Sequence, residues 1–215
     1  ELGDKQGLAI AKGLIGDLLS TMGELDRSNE FLEENLALSR ELNYKKGIAK
    51  ALNTLGDNWF YKGDLERSLK YYSEAIEHAR AMGNRLVLGN SLIEKGTVQL
   101  YTGDVSTARQ LLEEGRDIAL SLGNAELTFS ANVLRAQVFI AEDNKAEAQR
   151  QLTQLQALTR SEREEAAIHF ELRRVADNPV PHHSRALSIY RNLYAQTPQY
   201  VYKIRIEELE KELMH

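Results

Sequence analysis

The sequence predicts an all-α fold, a superhelical array of antiparallel helix pairs (an α-solenoid) closed by a C-terminal capping helix. Three observations carry the prediction. Glycines recur at a fixed step of forty residues, at Gly16, Gly56 and Gly96 and again at Gly23, Gly63 and Gly103. Each glycine of the second set is followed by an acidic residue and then by Leu25, Leu65 or Val105. Three prolines in 215 residues leave long helices uninterrupted. Finally, apolar residues fall three or four apart, the spacing of a helical face and not the alternation of a strand.

The register divides the single array 1–215 into units at about 1–41, 42–81, 82–121 and 122–161, a degenerate unit at 162–198 and a capping helix at 199–215. Glu1-Leu2-Gly3-Asp4 aligns with Glu41-Leu42-Asn43-Tyr44, Ala81-Met82-Gly83-Asn84 and Ser121-Leu122-Gly123-Asn124. These are the joints between units, and the later ones each follow a helix. The first four residues therefore read as the end of a helix whose body lies upstream, in a longer parent protein.

Each unit opens with a first helix, expected at about Lys5–Thr21, Lys45–Tyr61, Arg85–Tyr101 and Ala125–Ala141. A turn follows, Gly23-Glu24, Gly63-Asp64, Gly103-Asp104 or the variant Asp143-Asn144. Glycine or asparagine can take the left-handed conformation that ends a helix, and an acidic side chain can cap the next. Second helices are expected at about Asp26–Arg40, Glu66–Ala81, Ser106–Ser121 and Lys145–Arg160.

In the second unit Leu52, Leu55, Trp59, Leu69, Tyr72, Ala75 and Ile76 make one stripe on each helix. Small residues between the stripes, Gly56 on the first helix and Ser28, Ser68, Ala108 and Ala148 on the second, permit close backbone approach. One pair cannot bury enough apolar surface to offset the ordering of forty residues, so neighbouring units must stack. In the fifth unit a first helix is expected at about Glu162–Ala176, with Asn178–His183 as a Pro-interrupted loop. Ala186, Tyr190 and Pro198 mark its second helix. The last helix carries Tyr202, Ile206, Leu209 and Leu213 on one side, as a terminal cap requires.

A formal net charge of −5, without a long basic block, argues against nucleic acid as a partner. No apolar run reaches the roughly 18–20 residues of a membrane span, so no membrane partner is expected. The absence of cysteine excludes disulfides and thiolate chemistry, and a cytoplasmic location is the default. His78, His169, His182, His183 and His215 lack zinc-helix spacing, and His182-His183 reads as a solvated loop pair. His215 at the terminus reads as a tag remnant. Glu164-Glu165 and Glu207-Glu208 are adjacent on helices and point apart, so they cannot act together as acid and base. With no phosphate-binding or nucleophile motif either, no enzyme, cofactor or metal is expected.

Gly56, Trp59, Gly63, Ser68, Tyr72 and Ala75, with Pro198 in the last unit, resemble the tetratricopeptide repeat signature. The forty-residue step resembles the longer variety seen in Pins-like scaffolds, kinesin light chain and Rap-type peptide receptors, more than the common 34-residue form. Lys95 and Arg135 depart from it at a place that usually holds leucine, and are expected to snorkel. The resemblance implies a concave groove lined by the first helices that holds a protein or peptide partner. Carried over by position, the groove comprises Lys50, Asn53, Asp57, Phe60 and Tyr61 in the second unit and Asn90, Ile93, Thr97, Leu100 and Tyr101 in the third. Asp17 and Gln137 extend it.

Read without the family, Asn53, Asp57 and Tyr61 lie four apart on one helical face, where amide and ring groups suit an extended peptide. The functional reading is a non-enzymatic binding scaffold within a larger signalling or regulatory protein. The alternatives are a structural spacer or self-association module for an upstream catalytic or DNA-binding domain, with a homodimer as the self-associated form, and a regulator fused to an enzyme.

Overall fold

The computed structural model describes residues 2–213, and the side chains of residues 4–213. Glu1 and His215 lie outside the described residues, so the readings placed on them are not addressed. Eleven α-helices and no strand are found among the described residues. The chain divides into two compact units, residues 1–118 and 119–215.

The first unit holds α1 (Leu2–Met22), α2 (Leu25–Glu41), α3 (Lys45–Tyr61), α4 (Leu65–Ala81), α5 (Arg85–Tyr101) and α6 (Val105–Leu122) as far as Ile118. Leu2–Asp4, aligned by register with the joints, are helical here and open α1. Each turn works through backbone conformation and a cap. Gly63 and Gly103 take φ of +78° and +82°, and the following carboxylates accept from backbone N–H groups, Asp64 from Arg67 and Asp104 from Thr107, both at 3.0 Å. Glu24 departs from this pattern: it makes no side-chain cap bond and pairs instead with Arg27.

The small residues between paired helices do more than save space. Ser28 Oγ donates to the Gly16 carbonyl at 2.7 Å, and Ser68 Oγ to the Gly56 carbonyl at 2.9 Å. A Cβ on Gly56 would stand 2.8 Å from the Tyr72 ring, so only glycine permits this approach. Leu32, Leu36, Ile48, Leu52 and Leu55 then fuse the first and second pairs into one core. This stacking leaves a mark on α1. Leu18 is 61% exposed, while Asn58, forty residues on, is fully buried; Leu8 and Ile15 are likewise exposed where Ile48 and Leu55 are buried.

The second unit holds α7 (Ala125–Ala141), α8 (Lys145–Gln156), α9 (Glu162–Leu172), α10 (Val180–Gln196) and α11 (Tyr200–Glu212). In the variant turn Asp143 takes the left-handed conformation at φ 58° and Asn144 caps α8. The acidic residue and the asparagine thus exchange the roles expected of them. α8 stops at Gln156 and α9 at Leu172, each four residues short of the expected end. Ala148, Leu152, Ile168, Leu172 and Val175 form one core cluster. Tyr202 and Leu209 of α11 share a second one with Phe170, Leu187 and Tyr190, whereas Leu213 stays exposed.

The expected loop at 178–183 is corrected by the structure: His182 and His183 lie in the first turn of α10. Pro179 is its N-cap, and Pro181 sits where a missing N–H costs nothing. Arg135 places its guanidinium 5.9 Å from the Phe139 ring centre, and burial draws the half-buried Lys95 ammonium below its usual pKa. The Lys95 ammonium is thus partly withdrawn from water, which departs from the snorkelling expected of it.

Candidate functional site

Within the first unit α1 packs beside α3 and α3 beside α5. Polar side chains join them. Lys50 pairs with Asp17, and Thr54 Oγ1 donates to Asp17 Oδ1 at 3.0 Å. Ser91 Oγ donates to Asn53 Oδ1 at 2.7 Å, bridging α5 to α3. Lys50 is exposed and Asn53 half-buried. Both therefore serve the helix joints as well as the surface.

Asp57 is half-buried and accepts a hydrogen bond from the hydroxyl of Tyr72, itself 1% exposed on α4. Burial pushes the Asp57 carboxyl up to about 6; the Tyr72 bond opposes the shift and the Asp17 carboxylate adds to it. A carboxyl so placed binds a proton near neutral pH and favours a partner that brings positive charge or N–H donors.

One turn after Asp57 on α3 an aromatic group begins. Phe60 meets Tyr101 edge to face at 4.9 Å between ring centres and Tyr61 at 5.7 Å, so α3 and α5 share one patch. Tyr101 and Asn90 are exposed, whereas Thr97 and Leu100 are half-buried, and Thr97 Oγ1 donates to the Ile93 carbonyl at 3.2 Å. Ile93 is 3% exposed and packs against α6, where a Cβ on Gly115 would stand 2.9 Å from it. It belongs to the core and not to a surface face. Gln137 is in the second unit, half-buried, with Nε2 donating to Glu171 at 2.9 Å.

Sequence reasoning missed Asn58. Its Nδ2 donates to Ser28 Oγ and Asn29 Oδ1, both at 2.8 Å, and its Oδ1 accepts from Ser20 Oγ at 2.6 Å. One buried amide thereby ties α1, α2 and α3 together. A signal existed: Leu18 and Val98 occupy the same repeat place, so a polar residue there breaks an apolar pattern.

The second unit contains a histidine contact. His169 Nδ1 and His182 Nδ1 stand 2.9 Å apart, and Gln156 Nε2 lies 3.1 Å from His169 Nε2. An amide NH2 can only donate, so His169 accepts at Nε2 and donates from Nδ1 to His182. The expected solvated loop pair is in part a helix-to-helix bond. Among the described residues no group of three or more His, Cys, Asp or Glu could hold a metal ion. Nor is any described helix long and apolar enough to cross a membrane.

Residues 47–121 match a family model described as tetratricopeptide repeat. No curated protein matches the chain. Among solved structures, the apo form of RapI is similar with a TM-score of 0.75 at 12% identity, over 98% of this chain and 66% of that one. A Podosopora anserina chain of nearly identical TPR-like repeats is similar with a TM-score of 0.62 at 18% identity, over 86% of this chain and 92% of that one. A Pyrococcus horikoshii signal-transduction ATPase of the STAND class, with a tetratricopeptide repeat sensor, gives 0.59 at 13% identity, over 94% of this chain and 33% of that one. At these identities the likeness is one of fold. The chain spans just under two thirds of RapI and a third of the ATPase.

Proposed function

We propose that this chain, whose residues 47–121 match tetratricopeptide repeats, is a non-enzymatic scaffold binding an extended peptide on the α1–α3–α5 face. The contact set is Lys50, Asn53, Asp57, Phe60, Tyr61, Asn90, Thr97, Leu100 and Tyr101. One observation supports the reading above the others. Burial holds Asp57 at a pKa of about 6 on a partly open face, a shift that lowers stability at neutral pH and that clusters at sites of function.

Asp57 and Asn53 receive the peptide's N–H groups or a basic side chain, and the Phe60–Tyr101 patch takes apolar contact. The partner is a protein, with neither nucleic acid nor membrane involved, in the cytoplasm. The segment serves a larger signalling or regulatory protein. The fold shared with an ATPase that carries a tetratricopeptide sensor supports that placement. The test is capture of peptides from a random dodecamer display library by wild type and by the triple variant Asp57→Asn, Asn90→Ala, Tyr101→Ala. The scaffold reading expects loss of capture at unchanged helicity; equal capture by the triple variant would sink it.

A second reading, self-association into a homodimer, is favoured by the exposed Leu8, Ile15, Leu18 and Met22 of α1. Light scattering that shows concentration-dependent mass, abolished by Leu18→Glu, would support it. A strict monomer would remove it.

A further inference from the structure

A cavity of about 160 Å³ lies between α1, α2 and α3. Its inner wall is apolar. Leu32 and Ala51 are buried there, and Gly13 and Gly47 contribute no side chain. Glycine at 47 is required by its neighbours, since a Cβ would stand 2.5 Å from the Tyr44 ring and would also collide with Ser39. Asn35 flanks Gly13 with its amide committed to the Ala9 carbonyl. Ile10, Leu14, Lys46 and Lys50 form an exposed rim, where Asp17 pairs with Lys50.

The lining differs from the next joint in the array. Forty residues on, Asn53 stands at the place of Gly13 and Val87 at the place of Gly47. There Asn53 and Ser91 bond across the α3–α5 joint, whereas Gly13 and Ala51, at the equivalent places of the α1–α3 joint, have no polar side chain and line the cavity. An apolar cavity of about 150 Å³ admits a benzene-sized group. With Lys50 paired to Asp17, Lys46 gives the rim a basic edge.

We propose that this cavity is an anchor pocket for one leucine- or phenylalanine-sized side chain of a bound peptide, with a carboxylate of that peptide lying against Lys46. The inference deepens the reading of this face as a peptide site and rests on it. The pocket selects the side chain, while Asp57 and the aromatic patch lie further along α3. An anchor of this kind fixes the position of an otherwise extended ligand.

The experiment is an NMR titration of the full chain, methyl-labelled, with N-acetyl-leucine and with N-acetyl-alanine as probes. Saturable shifts of the Leu32 and Ala51 methyl groups are expected with the leucine probe alone. Leu14→Glu and Lys46→Glu, both at exposed positions, should each weaken that binding about tenfold. Equal responses to the two probes, or saturation unmoved by both variants, would overturn the pocket. If the leucine probe fails while display-library peptides still depend on Asp57 and Asn90, the pocket is wrong and the face reading stands. If the probe binds but no peptide depends on those residues, the face reading fails while the pocket survives as a small-molecule site.

Discussion

Tyr72 of α4 donates its hydroxyl hydrogen bond to the carboxylate of Asp57 on α3. The bond ties the candidate binding face to the core beneath it. The Asp57 side chain thus meets the core on one side and the candidate face on the other.

The raised Asp57 carboxyl makes the first unit pH-sensitive. Its folded pKa of about 6 exceeds the ordinary aspartate value of 3.8, so the folded state binds more protons between the two. Stability is then highest below about pH 4 with respect to this group and falls as pH rises through 6. Asp57→Asn keeps an acceptor for Tyr72 and should raise stability at pH 7.5 by about 1–2 kcal/mol. That is less than the roughly 3 kcal/mol two pKa units represent, because the side chain is partly solvated. Urea unfolding at pH 4.5 and 7.5 checks this; the gain should fall by more than half at the lower pH, where the folded carboxyl is protonated.

Asn58→Ala should cost about 2–3 kcal/mol, because Asn29, Ser28 and Ser20 lose a buried partner together. Asn58→Leu should be no rescue, although Leu18 holds the equivalent place, since α2 would still present polar groups to it. Chemical unfolding of both variants measures the effect.

The His169–His182 bond gives the second unit the opposite pH dependence. Burial, then the His182 and Arg185 charges, lower the His169 pKa below its ordinary 6.5, against the pull of Glu165. The unfolded chain therefore binds more protons as pH falls below 6.5, and stability present above that value is lost on acidification. Gln156 faces the same ring from α8 and carries no charge. Thermal unfolding at pH 7.5 and 5.5 should show a larger drop for wild type than for His169→Asn; equal drops would remove the histidine pair as the cause.

Much of the fold could be read from the sequence because the array repeats its punctuation. α3, α5 and α7 begin and end on the expected residues, since a glycine, an asparagine or, after α7, Asp143 marks each end. The α10 start was misread because prolines signal a loop in general but are tolerated in a first helical turn. Of the candidate face, the polar stripe on α3 was legible and its partners were not. The Asn53–Ser91, Asp57–Tyr72 and Ile93–Gly115 relationships join different helices, and a one-helix wheel carries no trace of them. Asn58 shows the reverse case, a polar residue whose departure from an apolar repeat place carried the information.

The central claim is that a peptide lies on the first helices of the first unit. The most direct measurement places a photo-crosslinking residue at Asn90 on α5 in one protein and at Lys70 on α4 in another, both exposed positions. Each is then exposed to the same captured display-library peptide. The account predicts crosslinking from position 90 and none from position 70. Crosslinking from position 70 alone, or equally from both, would contradict it.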